Sequence, residues 1–200
     1  MSASSSQPRR RLQARAGPLW RRSIRSRFDE LYSSPDGSVQ FVELHEAFGF
    51  NGENLLTGHP LTSTQGGTTR TYTFPSDLPS AVTAAKRMLI ATQGFANLGI
   101  VAPDYIVPAS FLFPGGGTVN YAGVDVLTYP ALPGDGVSSL RRSGTVGTNS
   151  PTNLAGQTGS IGPPAPPVAG ASGIPALDRS GLAVLSLVLV VATILIRRLR

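Results

Sequence analysis

Glu43 and His45 stand two residues apart in "SVQFVELHE". Side chains alternate along an extended strand, so these two share one face and could act as a base with its orienting partner, or as two metal ligands. A metal centre needs at least one more converging ligand, and no other His or carboxylate stands at a recognisable spacing. The expectation is an exposed polar strand face, with Glu43 and His45 the sole, weak metal candidates. Asp36, Asp104, Asp125 and Asp135 fall in or beside loops and could bind calcium. They lack the D-x-D-x-D-G ladder of strong sites. "FPGGGTVNYAG" is glycine-rich but has no Lys-Ser/Thr, so it reads as a tight turn rather than a phosphate loop. There is no G-x-S-x-G elbow and no cysteine, which removes two classes of nucleophile. No catalytic residue and no cofactor is assigned, and a non-enzymatic protein is expected. The alternative is an envelope hydrolase or metal-dependent accessory enzyme built on Glu43, His45 and the loop aspartates.

These residues need elements to hold them, and short strand patterns supply candidates. In "SVQFVELHE", Val42 and Leu44 take one face and Phe41, Glu43 and His45 the other. Further candidates are residues 69–74, 86–92, 104–108, 117–122, 124–129 and 137–142, separated by Gly, Pro, Asp and Asn turns. Seven or so short strands predict an all-β sandwich or barrel. Only Ser80 to Arg87 is helix-permissive. The five tyrosines (Tyr32, Tyr72, Tyr105, Tyr121 and Tyr129) supply strand faces and core.

The net charge of +6 misleads until its position is read. Eight of the seventeen basic residues are arginines in the first thirty. Residues 31–173 carry five basic and eight acidic side chains, a net of −3. No nucleic-acid partner is expected for a mildly acidic body. Residues 1–27 read as a disordered Arg-rich segment without the apolar run of an export signal. They also read as a stretch that is not the authentic beginning of the protein.

Residues 144–173, ending in "TGSIGPPAPPVAGASG", read as a Gly/Pro-rich linker, a stalk. Leu182 to Ile196 is an uncharged run of fifteen apolar or small residues closed by Arg197, Arg198 and Arg200. Fifteen residues rise about 22 Å as a helix, short of a ~30 Å hydrocarbon core, so the run relies on snorkelling arginines or local thinning. The flanking arginines predict a cytoplasmic C-terminus and an exported body.

Ile174, Pro175, Ala176 and Leu177, followed by the apolar run and arginine tail, resemble the bacterial IPTL-type C-terminal sorting signal. Ala176 replaces the usual Thr. The resemblance implies an envelope sorting or processing enzyme as a partner of residues 174–200. Residues 28–143 resemble a lamin-tail-type domain of bacterial surface proteins. The resemblance rests on "QFVELHE", "LTGHPLTST", "TYTFP", "LPSAVTAAKRMLIAT", "GGGTVNYAGVDVLTY" and "DGVSSLRR", in that order. It implies an immunoglobulin-like β-sandwich, with His59 where the family has a Trp, as a packing replacement for that aromatic.

The combined expectation is an envelope protein with a disordered basic N-terminus, an immunoglobulin-like sandwich, a Pro/Gly stalk and one C-terminal transmembrane helix. Adhesion or binding of an unidentified protein or glycan ligand would use loops at one end of the sandwich. A tail-anchored cytosolic protein is the remaining alternative.

Overall fold

The computed structural model describes residues 25–163. They form ten strands and one short helix: β1 Arg27–Ser33, β2 Gln40–His45, β3 Pro60–Gln65, β4 Thr68–Thr73, β5 Arg87–Thr92, α1 Gln93–Ala96, β6 Tyr105–Val107, β7 Gly117–Tyr121, β8 Asp125–Tyr129, β9 Ser138–Arg141 and β10 Val146–Thr148. The strands make a six-stranded sheet in the order β10-β9-β1-β2-β5-β6 and a four-stranded sheet in the order β4-β3-β7-β8. Every strand pair is antiparallel except β5 with β6. The described residues therefore form an all-β sandwich, as their strand pattern implied. The expected sorting motif, apolar run and arginine tail at 174–200, with residues 1–24, lie outside the described residues. Among the described residues no helix is long and apolar enough to cross a membrane.

Alternation decides the packing. Phe28, Leu31, Val42, Leu44 and Ile90 of the larger sheet meet Leu61, Val119 and Tyr121 of the smaller one in the main core. A register shift between Phe28 and Glu30 marks a bulge in β1, which redirects the side chains beyond it. The opposite face of the larger sheet is covered too. Tyr32, Phe41, Leu89 and Ala91 pack there with Phe95 and Val101 in a second cluster. A sheet buried on both faces calls for nearly continuous apolar strands, and "RMLIAT" is one. The Thr92 side chain caps α1 by accepting from the Phe95 N–H.

Two sequence expectations change, the start and the end of the folded unit. The first strand is β1, upstream of "SVQFVELHE", and the folded unit starts before Phe28: Ser26 is buried and its N–H donates to Glu53. The helix-permissive stretch runs as bends and turns over Ser80 to Lys86, and Arg87 opens β5. The fold also runs past residue 143, because β10 pairs with β9 and one compact unit extends to Pro163. The first part of the expected linker is thus domain, and its remaining residues, 164–173, lie outside the described residues.

After β10 the chain runs as an extended strap over the outer face of the larger sheet. Alternate N–H groups of the strap donate to carboxylates: Ser150 to Glu30 at 2.9 Å, Thr152 to Glu43 at 2.6 Å and Leu154 to Asp104 at 3.0 Å. Asn149 ties its two ends, donating to the carbonyls of Val137 and Ile161 and accepting from the Ile161 N–H. The strap lacks hydrophobic periodicity because side-chain acceptors on the sheet satisfy alternate N–H groups, while others bond backbone carbonyls, Asn149 to Val137 and Asn153 to Gln157 across the Thr152–Thr158 bridge.

Candidate functional site

Glu43 is fully buried, which corrects the expectation of an exposed polar face. One carboxylate oxygen accepts from Arg87, which also pairs with Asp29, and the other accepts from the Thr152 N–H. Burial pushes Glu43 up to about 7, although Arg87 and the Thr152 N–H oppose the shift and Glu30 reinforces it. Glu30, equally buried, accepts from Arg141, Ser139 and Ser150. Both carboxylates are struts between the sheet and its strap. His45, half-buried at the end of β2, pairs across the sheet with Arg27 and Arg87. Among the described residues no group of three His, Cys, Asp or Glu could hold a metal ion.

The loop aspartates are dispersed into separate backbone roles. Asp36 accepts from Ser34 and Ser38, and these bonds hold it down at about 2. Asp135 receives the N–H groups of Val137 and Ser138. Asp125 pairs with both guanidinium nitrogens of Arg142 and accepts the Phe28 N–H. Burial raises Asp104, against the N–H groups of Leu89 and Leu154. The glycine-rich stretch is a turn leading into β7, as its sequence indicated. Gly116 has φ +104°, and a Cβ on Gly117 would stand 2.7 Å from the Thr64 carbonyl oxygen. His59 is half-buried before β3, its N–H donating to Leu56 and its carbonyl accepting from Phe74.

The surface that fits none of these structural roles lies in the loop after β2 and the segment paired with it. Glu46 is buried and accepts four backbone N–H groups, from Phe48, Gly49, Phe50 and Ala85. Burial alone would raise this carboxyl, but the four donors outweigh it and hold it below its usual value. Asn51 accepts from the N–H groups of Thr83 and Ala84, and the Thr83 hydroxyl donates to the Phe50 carbonyl. Ala85 sits at φ +56°, a left-handed conformation that persists in a non-glycine residue only where its surroundings hold it.

The loop is therefore fixed from inside while its apolar side chains point out. Phe48 is 45% exposed and Phe50 46%, with Leu55 and Val82 still more open. The guanidinium carbon of Arg25 lies 4.3 Å from the centre of the Phe50 ring, and that of Arg27 lies 4.5 Å from the centre of Phe48. Each is a cation–π stack. Arg25 and Arg27 are two residues apart, as are Phe48 and Phe50. Glu53 anchors the approach of β1 by accepting the N–H groups of Arg25 and Ser26.

Neither a family model, nor a curated protein, nor a solved structure matches the chain at a significant level. The site accordingly stands on its geometry. Sequence reasoning missed it. The available signal was "FGF" at 48–50, two aromatics beside a flexible residue outside any strand pattern. The arginines that cover the rings belong to a segment read as disordered.

Proposed function

We propose that this chain is a cell-envelope protein that displays a non-catalytic, lamin-tail-like β-sandwich and works by contact, as an adhesion or ligand-binding module. Residues 174–200 act as sorting signal, membrane helix and cytoplasmic basic tail, recognised by an envelope processing enzyme, and the body is exported. The observation that carries the contact role is the rigid loop bearing Phe48 and Phe50. A backbone held by a buried carboxylate that exposes two aromatic rings is suited to recognition, since the loop loses little further entropy on binding. The non-catalytic reading is supported by the state of the acid and base candidates. Glu43 is fully buried, with one oxygen on Arg87 and the other on the Thr152 N–H, so it does not present itself to a substrate as general acid–base chemistry requires.

The test is protease protection on intact spheroplasts carrying the native gene, with mass spectrometry of shaved and protected fragments. Export is supported by cleavage within residues 38–142. Protection of that region would make this a tail-anchored cytosolic protein. The same fragments identify the authentic N-terminus.

A further inference from the structure

We infer that the Phe48–Phe50 loop docks onto an anionic lipid bilayer, the two rings entering the interface while Arg25 and Arg27 meet lipid phosphates. This deepens the contact role proposed above and rests on it. Two observations choose a bilayer over a polar ligand. First, the loop turns its polar groups inward: Glu46 to four N–H groups, Asn51 to Thr83 and Ala84, and Glu53 to Arg25 and Ser26. A glycan would need donors and acceptors facing out, whereas the large exposed apolar side chains of this loop and its paired segment are Phe48, Phe50, Leu55 and Val82. Second, the charges beside the rings are cationic. Arg25 and Arg27 lie over them, whereas Glu46 and Glu53 are buried. Of the partly or fully exposed carboxylates, Asp29 is paired with Arg87, and Asp77 accepts from the Thr57 N–H and hydroxyl.

Exposed aromatics flanked by arginines suit the headgroup layer physically. Rings gain by leaving water for the acyl boundary, and guanidinium groups gain from the negative surface potential. Arginine also keeps its charge at the phosphate level while its stem lies along apolar surface. A helix spanning at 182–196 would hold the domain within a short tether of the same bilayer, raising the effective concentration of a weak contact.

The experiment uses the full chain with Trp20→Phe, which removes the single tryptophan, and Phe48→Trp as reporter. Val126→Trp, on an exposed position of β8, is the control. Quenching by bromine-labelled acyl chains is read in phosphatidylcholine vesicles with and without phosphatidylglycerol. The expected result is quenching at position 48 only when phosphatidylglycerol is present, with none at 126. Arg25→Gln with Arg27→Gln should weaken the quenching partition by roughly thirtyfold, from the contribution of two arginines near an anionic leaflet. No quenching at 48, or equal quenching without phosphatidylglycerol or at 126, overturns the inference. Flotation with neutral vesicles reports the C-terminal anchor separately, so a chain that floats without quenching loses the docking and keeps the anchor.

Discussion

Replacing Glu43 by Gln isolates the titration of one buried strut. The carboxyl titrates near 4.5 when solvated and is pushed up to about 7 in the fold, chiefly by burial. Between these values the folded chain binds more protons than the unfolded chain, so its stability falls as pH rises. The penalty is absent below about 4.5, grows through the window and is complete above about 7. A difference of about 2.5 pH units corresponds to about 3 kcal/mol at ~1.36 kcal/mol per unit. Glutamine keeps the size and the acceptor for the Thr152 N–H but does not ionise. The variant should therefore be close to wild type near pH 4.5, where Glu43 is protonated. It should gain on wild type as pH rises, by about 3 kcal/mol near pH 8, or roughly 10 °C in Tm for a domain of this size. Urea denaturation of both proteins at a series of pH values measures the difference, and the titrations of Asp36, Asp104 and Asp135 cancel from it. Stabilities that run parallel from about pH 4.5 to 8 would refute the reasoning and mean that Arg87 keeps Glu43 ionised throughout.

Other substitutions test the strap, the hairpin and the core. Asn149→Ala removes the side chain that clasps Val137 and Ile161. It should destabilise the strap by about 2–3 kcal/mol, seen as faster hydrogen exchange at Ser150, Thr152 and Leu154 while β2 and β5 stay protected. Gly117→Ala places a methyl against the Thr64 carbonyl, whereas a Cβ on Gly147 meets nothing. The first should lower stability by about 1–3 kcal/mol and Gly147→Ala should change it little, compared by thermal unfolding. Tyr121 buries a hydroxyl with no hydrogen-bond partner among the described residues, whereas the Tyr32 hydroxyl donates to the Gly136 carbonyl at 2.8 Å. Tyr121→Phe should be neutral or stabilising by up to about 1 kcal/mol, and Tyr32→Phe destabilising by about 1 kcal/mol, in the same denaturation assay.

Alternation by itself determined which residues share a face. Val42 and Leu44 could be assigned to the main core, and Phe41 with Glu43 to the opposite side, because the period of a strand is local. The turn residues around 117–129 and 137–142 likewise marked strands without any knowledge of their partners. What covers a face is not local. Glu43 reads as solvent-exposed until Thr152, more than a hundred residues later, is laid over it, and Glu30 acquires Arg141 and Ser150 across a similar distance. β1 was hard to see for the same reason: "RFDELYS" carries charges in mid-strand, and only tertiary pairing offsets the cost of burying them. The strap escaped because alternate N–H groups bond to carboxylates on the sheet, so it needs neither apolar period nor strand propensity. The Phe48–Phe50 loop shows both limits together. Its aromatics were visible in the sequence, but their exposure, their rigid support by Glu46 and the arginines stacked on them arise where the start of β1 meets the end of β2. That meeting is a property of antiparallel pairing rather than of either segment alone.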